Sequence, residues 1–100
     1  MQPNMRMLQQ MQNRIQKIQE ELGETLVEGT AGGGMVTVQV TGLKAVAGIK
    51  IAPDAIDPAD AEMLEDTILA AINDAMEKAE ELAADKMAAV TGGIRIPGLM

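Results

Sequence analysis

Three aspartates lie close together in the middle of the chain and are the first candidates for chemistry. Asp54, Asp57 and Asp60 flank Pro53 and Pro58. Carboxylates at this spacing could hold a hard cation, but a calcium loop also needs a turn glycine and a closing bidentate glutamate, which this segment lacks. Asp57 instead fits the N-cap of a helix that begins at Pro58, and Asp60 fits the positive end of that helix dipole. The segment therefore predicts helix capping and no metal site.

The composition lacks the residue types that most other catalytic and cofactor-binding sites need. Cys, His, Trp, Tyr and Phe are all absent. Without Cys or His there is no thiolate nucleophile, imidazole base or soft metal site. The glycine run 32–34 is followed by Met35 and a strand pattern, whereas a phosphate-binding loop needs Lys and Ser or Thr at the start of a helix. We therefore expect no enzyme, no catalytic residue, no cofactor and no small-molecule substrate.

The basic residues are distributed unevenly along an acidic chain. The net charge is −7, which by itself argues against binding a polyanion. Residues 1–17, however, carry +3 from Arg6, Arg14 and Lys17 with no acidic residue, while the rest carries −10 from five basic and fifteen acidic residues. On a helical wheel these three side chains fall within an arc of about 80°. They could neutralise phosphates, or they could be an ordinary solvated helix surface, and spacing alone leaves both interpretations open.

These side chains need a helix to align them, and the pattern of apolar residues predicts one over 4–22. Its apolar positions are spaced three and four residues apart, as in a heptad seam: Leu8, Met11, Ile15, Ile18 and Leu22. Gly23, which follows Leu22, is the predicted C-terminal stop of this helix.

Three strands are predicted between residues 25 and 52, at 25–30, 35–41 and 44–52. Alternating apolar and polar residues favour strands, and the glycine-containing turns at 31–34 and 42–43 favour an antiparallel meander. In the third strand the alternation predicts one face with Ala45, Ala47, Ile49 and Ile51, and another with Lys44, Val46 and Lys50.

A second, long helix is predicted over 58–91, since neither Gly nor Pro occurs between Pro58 and Gly92. An irregular tail follows at 92–100. The chain is therefore expected to be a single α+β domain over 1–100. Both helices are longer than a three-stranded sheet can cover, so their apolar seams favour packing on a second copy in a symmetric dimer.

The segments taken together resemble the YbaB/EbfC family of bacterial nucleoid-associated DNA-binding proteins, over nearly the whole length. The resemblance is carried by the Gln- and Met-rich first helix and by later segments, at 11–22, 27–34, 36–38, 62–66, 70–75 and 87–99. It implies a homodimer joined through the sheets, with helices that project as arms. It also implies binding of double-stranded DNA with low or modest sequence preference, in nucleoid organisation or gene regulation.

The resemblance also suggests the DNA-binding residues. Arg6, Arg14 and Lys17 match the basic and polar first helix of the family, and Lys78, Lys86 and Arg95 lie in the region that matches its C-terminal arm. The N-terminus lacks the glycine-rich, lysine-containing lead of many members, which removes candidate phosphate contacts.

The alternative is a protein–protein adaptor in DNA replication or repair. Its apolar helix seams and its tail, which contains Ile94, Ile96 and Leu99, would then bind another protein. No run of apolar residues is long enough to span a bilayer and no signal peptide is recognisable, so the expected location is the cytoplasm, in association with the nucleoid and not with a membrane.

Overall fold

A computed structural model describes residues 5–90 and shows a helix, three antiparallel strands and a long second helix. The α+β class and the order of the elements are therefore confirmed. Short 3₁₀ turns at Pro53–Ala55 and Pro58–Asp60 precede the second helix. The elements are α1 (Met5–Glu24), β1 (Leu26–Ala31), β2 (Val36–Thr41), β3 (Val46–Ile51) and α2 (Ala61–Val90). The predicted tail at 92–100 lies outside the described residues.

Helix α1 continues through Gly23 and ends at Glu24, two residues beyond the predicted end. Two of its last carbonyl groups find partners there. The Gly42 N–H donates to the Leu22 carbonyl at 2.8 Å, and the Thr25 hydroxyl donates to the Glu21 carbonyl at 2.7 Å. Because these bonds supply donors to C-terminal carbonyls that would otherwise lack them, the helix needs no glycine stop.

Helix α2 begins three residues later than predicted, because two aspartates cap successive turns. Asp57 Oδ1 accepts the Ala59 N–H at 3.0 Å and starts the 3₁₀ turn. Asp60 Oδ1 then accepts the Met63 N–H at 3.2 Å and starts the α-helix at Ala61. The capping interpretation of these aspartates is confirmed.

The sheet has the order β1-β2-β3, with both pairs antiparallel. The register of β1 with β2 is regular from Leu26↔Thr41 to Ala31↔Val36. The register of β2 with β3 shifts by one residue, because Gln39 faces Gly48 and Val40 faces Val46. The predicted faces of the third strand are therefore wrong at Val46. One extra residue on the bulged strand reverses the alternation, so Val46 shares the face of Val40 and not that of Lys50.

The core lies where α2 crosses β1 and β2. Val36, Val38 and Val40 are fully buried, and Ala71, Ala75 and Ala79 form the matching stripe on α2, four residues apart. Gly29 allows this close approach, since a Cβ there would lie 2.2 Å from the Ala75 nitrogen. Helix α2 covers less of β3, and there Val46 and Ile49 remain 50% and 47% exposed.

Helix α1 runs antiparallel to the C-terminal part of α2, and its apolar seam is only partly covered. Leu22 is buried, whereas Leu8 and Met11 remain 42% and 46% exposed. The described residues measure 66 × 25 × 16 Å with a radius of gyration of 18.4 Å, against about 13 Å for a compact chain of this length. The N-terminal half of α1 therefore extends away from the sheet as an arm.

Candidate nucleic-acid interface

The exposed face of α1 carries three of the predicted DNA-binding residues. Arg6, Arg14 and Lys17 are all exposed, and none of them forms an ion pair or hydrogen bond within residues 5–90. With a rise of 1.5 Å per residue they extend along about 16 Å of the helix. Gln10 lies between them, one turn from Arg6 and one turn from Arg14. The sequence therefore places three positive charges and a polar side chain on a single accessible helix face.

Two of these cations border a groove between the two helices. Arg14 and Lys17 line it together with Ile18 and Glu21 of α1 and the last described residues of α2, Ala89 and Val90. The groove has a volume of about 320 Å³ and is open to solvent. This part of α1 is thus held against α2, which fixes the direction in which Arg14 and Lys17 are presented.

The other lysines that project from or toward α2 are held by acceptors within the chain. Lys44 Nζ lies 2.7 Å from Glu80 Oε1, and Lys86 Nζ lies 3.3 Å from Glu21 Oε2. Lys78 Nζ lies 3.2 Å from Asp74 Oδ2. Each positive charge has a carboxylate partner, so its contribution to the external potential is largely compensated.

Lys78 makes a second contact that sequence reasoning missed. Its ammonium donates to the Glu28 carbonyl of β1 at 3.1 Å, and the Asp74 carboxylate accepts the Thr30 N–H at 3.0 Å. The i,i+4 spacing of Asp74 and Lys78 was the available signal, but it does not show that both side chains reach a strand. The Thr30 N–H and Lys78 together hold the pKa of Asp74 below its ordinary value.

The predicted DNA-binding residues therefore do not form one continuous surface. Arg6, Arg14 and Lys17 share the face of α1, whereas Lys78 lies at the edge of the sheet and Lys86 is paired with α1. Arg95 lies outside the described residues. Lys50 is a further exposed cation without an ion pair in the described part of the chain, on the open face of the sheet, where it lines a cleft with Thr37 and Gln39.

No group of three or more Asp and Glu side chains within residues 5–90 is arranged to hold a metal ion. A cleft of about 440 Å³ beside Gly32 is lined by Asp60, Glu62 and Asp66 and is open to solvent. No helix in this range is both long and apolar enough to cross a membrane.

Comparison with known proteins identifies the family. The sequence pattern of the YbaB/EbfC DNA-binding family matches residues 1–94. The chain belongs to the YbaB/EbfC family. The resemblance that the sequence segments suggested is thereby confirmed.

Curated relatives of this YbaB/EbfC chain are similar over most of their length. A nucleoid-associated protein of Chloroflexus aurantiacus is 54% identical over 91 residues, which cover 91% of each chain. A nucleoid-associated protein of Thermoanaerobacter pseudethanolicus is also 54% identical over 91 residues, which cover 91% of this chain and 82% of the relative. An uncharacterized protein of Helicobacter pylori has a similar fold in its crystal structure, with a TM-score of 0.77 at 22% identity, covering 91% of this chain and all of that one.

Proposed function

We propose that this YbaB/EbfC-family chain binds double-stranded DNA through the exposed face of α1. The observation that carries the proposal is the state of the cations. Lys44, Lys78 and Lys86 each have a carboxylate partner, whereas Arg6, Arg14 and Lys17 have none in the described residues. Unpaired, exposed cations can displace the counterions of a phosphate backbone without first breaking an ion pair.

The same face supports low sequence preference. Arginine and lysine contacts to phosphates fix position and orientation but carry no sequence information. The three cations are separated mainly by Gln and Asn, which can donate to phosphates or to bases. We expect the phosphate contacts to dominate affinity, so binding would vary little between unrelated duplexes.

The functional unit in this proposal is a homodimer joined through the sheets. Val46 and Ile49 leave the helix-side face of β3 half exposed, and Leu43 in the preceding turn is 51% exposed. Covering these apolar side chains would remove apolar surface from water, which is favourable. A second copy would cover them and would raise the number of free α1 cations from three to six.

The relatives named nucleoid-associated proteins suggest where this binding is used. In this proposal the chain contributes to nucleoid organisation or gene regulation, in the cytoplasm, and performs no catalysis. Its acidic α2 and sheet would face away from the duplex while the α1 arms contact it.

The test is binding to a labelled duplex by fluorescence anisotropy across a salt series. Six neutralised phosphates per dimer predict a slope of log affinity against log salt of about −5. The variant Arg6→Ala, Arg14→Ala, Lys17→Ala is expected to lose most of this slope and most of the affinity at low salt.

A matched control separates the local face from the overall charge. Changing Lys44→Ala together with Lys50→Glu removes the same three units of charge from the sheet side of the chain. This control should retain the wild-type slope. Equal losses in both variants, or no binding of the wild type at low salt, would overturn the α1 proposal and would favour the adaptor interpretation.

A further inference from the structure

One turn of α2 is bonded to the outer edge of β1. Lys78 Nζ donates to the Glu28 carbonyl at 3.1 Å, and Asp74 Oδ2 accepts the Thr30 N–H at 3.0 Å. The two side chains also lie 3.2 Å apart as an ion pair. A cation thus meets the backbone acceptor and an anion meets the backbone donor, on either side of Gly29.

These backbone groups are the ones that an added strand would use. Among residues 5–90, β1 is an edge strand that pairs with β2 alone. The outward N–H and C=O groups of an edge strand form a template for another chain. With the Glu28 carbonyl and the Thr30 N–H both occupied by α2 side chains, an incoming strand would have to displace both contacts before it could pair in the middle of β1.

The described residues do not cover the opposite edge of the sheet in this way. Within residues 5–90, no side chain or backbone group bonds to the outer edge of β3. The two edges therefore differ chemically as well as in sequence. Gly29 contributes to the difference, since its lack of a side chain lets α2 lie directly on β1 and brings Asp74 and Lys78 within reach of the strand.

We propose that Asp74 and Lys78 close the β1 edge against strand addition, so that a second copy of the chain can extend the sheet only along β3. The pair blocks strand addition because it occupies the backbone groups of β1. Its contribution to the stability of the fold is small, since exposed i,i+4 ion pairs contribute little. With one edge closed, each sheet can pair with only one further copy, so copies cannot add to one another indefinitely. This inference does not depend on DNA binding.

The first test compares assembly of matched variants by light scattering with refractive-index detection, because the chain lacks Trp and Tyr. Asp74→Ala with Lys78→Ala opens the edge. Lys44→Ala with Glu80→Ala removes another exposed ion pair of α2, also without net charge change, but leaves the strand edges untouched. From micromolar to millimolar concentration, only the first variant should form species larger than the wild type. Equal masses for all three proteins would overturn the proposal.

The second test follows the Thr30 amide by hydrogen exchange in single variants. Asp74→Asn keeps an acceptor oxygen and should keep the protection, whereas Asp74→Ala should speed the exchange about fivefold or more, as expected for loss of one hydrogen bond. Unchanged exchange in Asp74→Ala would show that the edge is not closed by this side chain.

Failure of this inference can be distinguished from failure of the proposed function. A monomeric wild type would contradict the proposed homodimer. The edge proposal would still be tested by whether the Asp74/Lys78 variant alone is larger than the wild type. Lys78→Ala should leave the salt slope of DNA binding unchanged, because Lys78 serves the sheet edge. A reduced slope would place Lys78 at the duplex and would overturn the assignment of DNA contact to α1 alone, whereas the edge role is decided by the masses and the Thr30 exchange.

Discussion

Replacement of Gly29 by alanine tests the packing on which the fold depends. Gly29 lies in β1 directly beneath α2. A Cβ at this position would lie 2.2 Å from the Ala75 nitrogen, 2.4 Å from the Ala71 carbonyl oxygen and 2.7 Å from the Ala75 Cα. All three atoms belong to the helix backbone, so rotation of a side chain cannot relieve the overlap.

The size of the effect follows from these distances. The shortest separation is about 1.2 Å below the 3.4 Å at which ordinary contact begins. The helix must therefore move away from β1, which also weakens its contacts with Val36, Val38 and Val40. Overpacking of a core typically costs about 1–3 kcal/mol and occasionally more. Because the clash is with backbone, we expect Gly29→Ala to cost about 3 kcal/mol or more.

Urea unfolding followed by circular dichroism at equal protein concentrations measures this cost. Gly48→Ala is the matched control, since a Cβ there would meet only Gln39 Oε1, at an ordinary 3.6 Å. Gly48→Ala should change the free energy of unfolding by no more than about 1 kcal/mol. It would stabilise the fold if its main effect is to reduce the conformational freedom of the unfolded chain. Free energies of unfolding for the two variants that agree to about 0.5 kcal/mol would refute the close approach of α2 to β1.

Three further substitutions test the electrostatic and capping contacts. The pKa of Asp74 is held below its ordinary 3.8 by the Thr30 N–H and Lys78, so its stabilisation is complete above that pH and is lost as the pH falls through the folded-state value. Urea unfolding in acid should show this loss for the wild type and not for Asp74→Asn, and parallel curves would contradict it. Asp60→Ala removes the cap on Met63 and should cost about 1 kcal/mol in thermal unfolding, whereas Asp54→Ala, with the same charge change, should cost less. Lys44→Ala breaks an exposed ion pair and should cost less than about 1 kcal/mol; a larger loss would show that this pair is not simply screened.

The local pattern of the sequence predicted the elements well because each was specified by its own residues. The alternating valines of β2, the glycine turns and the uninterrupted run of α2 need no distant partner to be recognised. The cap by Asp57 was also recognisable, but the α-helix itself starts after Asp60, because the residues between them take 3₁₀ and not α geometry.

What the sequence did not reveal was set by contacts between distant residues. The register shift beside Val46 depends on the pairing of β2 with β3 and leaves no local signal. The contact of Lys78 with Glu28 joins residues 50 positions apart, and the Lys86–Glu21 pair joins residues 65 positions apart. These contacts change the interpretation of the lysines of α2, since carboxylate partners and strand carbonyls compete with DNA for them. Charge counting along the chain cannot detect that competition.

The separation of charge explains how an acidic chain could bind a polyanion. Residues after 17 carry a net charge of −10, while Arg6, Arg14 and Lys17 on α1 contribute +3. Repulsion between exposed charges is screened over about 8 Å at physiological salt. Cations on the projecting half of α1 can therefore approach a duplex, since carboxylates farther from the duplex than this distance repel it only weakly.

The most direct measurement places a probe on the α1 face itself. The chain has no cysteine, so Gln10→Cys provides a single attachment point for a photo-crosslinker between Arg6 and Arg14. Glu65→Cys places the same probe on the acidic, exposed side of α2. If α1 is the DNA-binding surface, we expect salt-sensitive crosslinking to duplex DNA from position 10 and little from position 65. Equal crosslinking from both positions, or crosslinking from position 65 alone, would contradict the assignment of α1 as the DNA-binding surface.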